Sequence, residues 1–112
     1  MEDFEKRIEK DVVVEVVNLS RATWKEAIAF KKILDEDIEK KFRKLVVDIS
    51  QCEFLDSTFL GALVHAKRSL NKIGGDLKIV EPSSVFKVLR EKTSTLQIFD
   101  TYKSLEDAIK SF

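Results

Sequence analysis

The stretch LVVDISQCEFLDSTFLGALVHAKRSLNKIGGDLKIV, residues 45–80, holds a complete strand–helix–strand unit. Leu45-Val46-Val47-Asp48-Ile49 is almost wholly apolar, with the composition of a strand covered on both faces. SQCEFLDS reads as a loop. From Thr58 to Ile73, Leu60, Leu63, Val64 and Leu70 recur at helical spacing. Gly74-Gly75 ends that helix, because glycine takes the left-handed conformation just past a helix end. Leu77-Lys78-Ile79-Val80 is again a strand. Strand, helix and strand in so short a span predict parallel pairing with a right-handed crossover.

The flanks extend the same alternation. Residues 4–8 are expected to form a short first strand at an edge, running antiparallel. Val12-Val13-Val14-Glu15-Val16-Val17 reads as a strand buried on both faces. NLSRAT is a polar turn, and Thr23 to about Phe42 is helical, with Trp24, Ala27, Ile28, Leu34 and Ile38 on one face. On this pattern Trp24 belongs to the core, while Phe30 lies on another side of the helix, either exposed or buried. After the central unit, EPSS opens a helix over Val85 to about Lys92, and Leu96 to Tyr102 holds a short strand. Ser104 caps a last helix, whose acidic Glu106 and Asp107 suit the positive end of its dipole. The expected fold class is therefore α/β: one mixed, mainly parallel sheet of about five strands with about four helices.

The bulk numbers agree with one domain over residues 1–112. Apolar residues make up 44% and charged residues 36%, which is globular rather than disordered composition. Acidic and basic residues balance at 20 each, so no basic excess points to nucleic acid. No apolar run approaches the roughly 20 residues of a membrane span, and MEDFEKRIEKD lacks an apolar signal core. With one cysteine there is no internal disulfide, and a cytoplasmic location is expected.

In an open α/β sheet, ligands and partners gather at the carboxyl ends of the strands. Parallel topology brings three loops there: Asn18 to Thr23, Ser50 to Ser57, and Glu81 to Ser84. The middle loop ends in Asp56-Ser57-Thr58, a polar island between apolar residues. Asp or Ser here is an ordinary helix N-cap, worth about 1 kcal/mol. Catalysis by Ser57 lacks a base. His65, the only histidine, is about 12 Å further along the same helix. The G-x-S-x-G elbow is also absent. A third role needs less machinery: a serine at a helix N-terminus accepts a phosphate readily, because free N–H groups and the dipole stabilise the dianion. Thr58 either serves the helix start or is a second acceptor. Cys52 has no basic neighbour in sequence to lower its pKa and reads as inert. No second histidine or cysteine is spaced to make His65 a metal ligand.

With Asp56, Ser57, Thr58, Leu60, Gly61, Gly74 and Gly75 at these positions, residues 45–80 resemble the STAS domain of bacterial anti-sigma factor antagonists. The resemblance implies the STAS fold and a partner switch rather than an enzyme, with no cofactor of its own. The unphosphorylated domain binds an anti-sigma factor that is also a serine kinase, and a sigma factor is released. The kinase phosphorylates Ser57 and binding is lost; a phosphatase reverses the change. The partner-binding surface it implies covers Asn18, Leu19, Ser20, Arg21, Asp56, Ser57, Thr58, Phe59, Leu60 and Gly61, on a monomer or weak dimer. Two positions depart from the family pattern. Ser20 stands at an acidic position, and Phe59 replaces the first glycine of Gly-Leu-Gly. A ring at 59 is expected either to shield Ser57 or to anchor a partner. The alternatives are a STAS scaffold that has lost the switch and a small-molecule or nucleotide binder. No phosphate loop of the G-x-x-x-x-G-K type is present for the latter.

Overall fold

The computed structural model describes residues 2–82 and 98–112. Strands β1 (Phe4–Glu9) and β2 (Val12–Val17) form a hairpin, closed by a turn with Lys10 at φ +59°. A two-residue strand β3 (Arg21–Ala22) leads into helix α1 (Trp24–Glu39). Then come β4 (Lys44–Asp48), the short β5 (Phe54–Leu55), helix α2 (Ser57–Asn71) and β6 (Asp76–Val80). Strand β7 (Thr101–Tyr102) and helix α3 (Leu105–Lys110) close the chain. The expected helix over Val85–Lys92, and most of the loop and strand flanking it, lie outside the described residues.

The sheet runs β1-β2-β4-β6-β7, antiparallel only at the β1 edge and parallel elsewhere. Register is continuous across its centre, with Val14 opposite Val46 and Val46 opposite Lys78. All six residues of β2 are buried, as a strand covered on both faces requires. One face carries α1 and α2 over Val13, Val17, Leu45, Val47, Leu77 and Ile79. The other face packs α3 on Val12, Val14, Val16, Val46 and Val80 through Ala108. Lys78 fixes that end: its ammonium lies 4.5 Å from the Phe112 ring centroid and donates to the Ser111 carbonyl and hydroxyl oxygens.

Helix ends follow local chemistry. The Thr23 N–H donates to Glu26 Oε1 at 3.0 Å, and the Lys25 N–H to Thr23 Oγ1, which opens α1 with a capping box. Ser104 accepts from the Asp107 N–H and starts α3, as expected. Helix α1 stops at Glu39 rather than near Phe42, because Lys41 turns left-handed at φ +76°. Gly74 adopts φ +82° after α2. A Cβ at Gly75 would lie 2.5 Å from the Arg43 carbonyl oxygen, so close backbone approach fixes glycine there.

The buried stripe of α1 is Ala27, Phe30, Leu34 and Asp37. That corrects two sequence expectations. Trp24 is 63% exposed rather than in the core, and Ile28 is 81% exposed rather than on the inner face. Phe30 takes the inner position instead, where its ring lies 4.8 Å from Phe4 and 5.1 Å from Phe59. This row of three rings joins β1, α1 and α2.

Candidate functional site

The loops after β2 and β4 meet at the carboxyl edge of the sheet and are held by backbone. Strands β3 and β5 pair in parallel, Arg21 opposite Phe54 and Ala22 opposite Leu55. The Glu53 and Phe54 N–H groups both donate to the Ser20 carbonyl, and the Asp56 N–H donates to that of Ala22. Side chains reinforce the seam. Gln51 donates to Asn18 Oδ1 at 2.9 Å, and Asn18 donates in turn to Glu5 Oε1 and the Glu2 carbonyl. The Arg21 guanidinium sits 4.4 Å over the Phe54 ring. Leu19 is half-buried and packs on the core.

Asp56 is the pivot. Its Oδ1 accepts from the Phe59 N–H at 2.8 Å, which caps α2. Its Oδ2 accepts from the Trp24 N–H at 2.7 Å, the first residue of α1. One carboxylate thus ties the N-termini of both helices and adds negative charge where both dipoles favour it.

Ser57 is the first residue of α2 and is exposed, as is Thr58. Among the described residues the Ser57 hydroxyl has no hydrogen-bond partner. Beside it, a shallow groove of about 270 Å³ runs between α1 and α2, lined by Ala27, Ile28, Lys31, Thr58, Gly61, Ala62 and His65. Gly61 is open, with nothing near where a Cβ would stand. Trp24, Ile28 and Phe54 give this end three exposed apolar side chains.

Residues 3–108 match the STAS domain family. The chain belongs to that family. A Thermotoga maritima relative, provisionally named an anti-sigma factor antagonist, is 28% identical over 108 residues, covering 96% of this chain and 95% of its own. The crystal structure of a Thermotoga maritima protein so named superposes with a TM-score of 0.84 at 26% identity, over 96% of this chain and 92% of that one. The Bacillus cell fate determinant SpoIIAA in its phosphorylated form shares the fold, with a TM-score of 0.74 at 14% identity over 96% of this chain and 97% of that one.

The two departures of this STAS domain resolve differently. Phe59 neither shields Ser57 nor offers a ring to a partner. It is fully buried and stacks on Phe30 with planes 14° apart. Ser20 is exposed, and its hydroxyl donates to Glu53 Oε2 at 3.2 Å, so a carboxylate stands beside it all the same. Cys52 is buried, and burial with the nearby Asp48 charge pushes its thiol up to about 12. His65 is exposed on the groove. Sequence reasoning missed Trp24, Ile28 and Phe54 as surface. For Trp24 and Ile28 the spacing gave no clear signal, because they lie beside Ala27 on the helix and either side of it could face inward. Among the described residues no helix is long and apolar enough to cross a membrane.

Proposed function

We propose that this STAS domain is an anti-sigma factor antagonist that acts by binding and not by catalysis. In its unphosphorylated form it docks an anti-sigma factor that is also a serine kinase, and a sigma factor is set free in the cytoplasm. The observation that carries this reading is the exposed Ser57 hydroxyl in the first turn of α2, at the end of the domain that also exposes Trp24, Ile28 and Phe54. An apolar patch of this kind is a docking surface, with an aromatic anchor at its centre. A phosphate on Ser57 brings about −2 of charge to that surface, beside the Asp56 carboxylate. The helix tolerates the dianion, so the fold persists while the surface becomes strongly negative. Glu53, held by Ser20, supplies acidic character to the recognition loop. The ATP site belongs to the kinase, and a phosphatase restores the binding form.

Two results test this. Incubated with ATP and its host's anti-sigma kinase, the protein is expected to gain one phosphate mapped to Ser57. Ser57→Ala keeps binding and takes no phosphate, whereas Ser57→Asp weakens binding about tenfold or more. Tight binding by Ser57→Asp would exclude a charge switch. Trp24→Ala should also weaken kinase binding about tenfold or more, because it removes the largest exposed apolar side chain. Its urea midpoint should barely move, since a mostly exposed side chain contributes little to the core. Unchanged affinity would place the interface elsewhere.

A further inference from the structure

Glu15 is the one charged residue in β2, a strand whose residues are all buried. Its register partner on β1 is Lys6, whose ammonium lies 3.1 Å from Glu15 Oε2 and also donates to Asp37 Oδ1 on α1. Glu15 and Asp37 are 1% and 0% exposed. Two buried carboxylates thus share one cation, which reaches them from a partly exposed lysine. Asp37 Oδ2 is buried with no donor, and Glu15 Oε2 is met only by the Lys6 ammonium, off the line of a good hydrogen bond. With both acids ionised, the cluster holds an uncompensated buried negative charge, which is costly. A proton on Glu15 removes that charge and gives the pair the donor it lacks, toward Asp37. Lys6 from β1 and Asp37 from α1 are the charged groups that act on Glu15, and β4 meets it with Val47.

Strand β1 is the element free to respond. It is the sheet edge, paired on one side only. We propose that the proton held between Glu15 and Asp37 is a latch that keeps β1 closed on β2 and α1, and that its loss lets β1 open while the parallel strands stay folded. The consequence reaches the loop after β2. The Asn18 N–H donates to the Asp3 carbonyl, and its side chain donates to Glu2 and Glu5. An open β1 therefore frees Asn18 from Glu2, Asp3 and Glu5 and leaves it its bond to Gln51. The latch stands whether or not Ser57 accepts a phosphate.

The direction with pH follows from the cluster. Burial, reinforced by the hydrogen bond and charge of Asp37, pushes the Glu15 carboxyl up to about 8 against the pull of Lys6. Burial draws Lys6 down, but its hydrogen bonds to Asp37 and Glu15 outweigh that and hold it above its usual range. The ammonium therefore stays charged while Glu15 titrates. In the open form Glu15 meets water and returns toward its ordinary 4.5. Between those values the closed form binds one more proton than the open form. Closure is strongest in acid, weakens as pH rises through the window, and levels off above about 8.

Amide exchange by NMR tests the latch, with rates corrected for intrinsic chemistry. Protection of residues 4–9 should fall by up to about tenfold per pH unit relative to β4 as pH rises toward 8. Glu15→Gln keeps an acceptor for Lys6 and a permanent donor for Asp37, so its β1 protection should be flat with pH. Asp37→Asn removes the hydrogen bond and charge of Asp37 but not the burial, so its slope should be shallower than wild type, and it stands in if the first variant does not fold. Wild-type β1 protection that tracks β4 at every pH would overturn the proposal. So would a wild-type slope retained in both variants.

Discussion

Replacing Phe59 by glycine, the residue that the family pattern has there, is expected to destabilise the protein by about 4–6 kcal/mol. Removing a fully buried phenyl ring costs about 3–5 kcal/mol, and glycine inside a helix adds about 1 kcal/mol. The ring is 0% exposed and stacks on Phe30, which itself meets Phe4, so the loss reaches three elements. Against a total stability of about 5–15 kcal/mol this leaves little folded margin. Phe59→Leu, which refills most of the volume, should cost less than half as much. Urea unfolding of the two variants checks the order. A loss below about 1 kcal/mol for the glycine variant would mean that the ring is not part of the core. No gain in phosphorylation at Ser57 is expected from either variant, because the ring does not cover the hydroxyl.

The same residue shows where sequence reasoning stops. Alternation of buried strands and periodic helices placed the longer described elements in order, since both signals are local, but the two-residue strands β3 and β5 fall where a turn and a loop were expected. The glycine pair after α2, the cap at Ser104 and the all-buried strand at Val12–Val17 are likewise written in a few adjacent residues. The rotation of α1 is not. Trp24, Ala27, Ile28, Phe30, Ile33, Leu34 and Ile38 spread over more than half of that helix's circumference, so periodicity permits more than one inner stripe. The choice is made by Phe4 and Phe59, which contact Phe30 from other elements and hold it at the inner position. The site divides in the same way. Asp56 as a cap and Ser57 at a helix start are local facts. Glu53 beside Ser20, 33 positions apart, exists only because β3 and β5 pair. A lone glutamate inside VVVEVV was a visible oddity. Its partners Lys6 and Asp37 become legible only once β1 and α1 are packed on β2.

Asp56→Ala should have the second largest effect, about 2–5 kcal/mol, because two helix starts lose their acceptor together. An N-cap contributes about 0.5–2 kcal/mol, and a hydrogen bond to a charged acceptor about 1.5–3 kcal/mol. Asp56→Asn separates the two contributions. Its single carboxamide oxygen can take the Phe59 N–H and cap α2, but its NH₂ group cannot accept from the Trp24 N–H. Asparagine should therefore recover about half of the alanine loss. If asparagine matched wild type, the bond to Trp24 would contribute nothing. If it matched alanine, the cap of α2 would contribute nothing. The functional readout is sharper than the stability one. The bond to Asp56 Oδ2 ties Trp24, the first residue of α1, to the start of α2. In Asp56→Asn the serine and its helix remain in place while the apolar anchor beside them loses its backbone tether. Binding of the anti-sigma partner should fall about as far as for Trp24→Ala, and adding Trp24→Ala to Asp56→Asn should cost little more, because coupled residues are not additive. Fully additive losses would mean that Asp56 acts on the partner directly, through its own charge, and not by holding two helices to one surface.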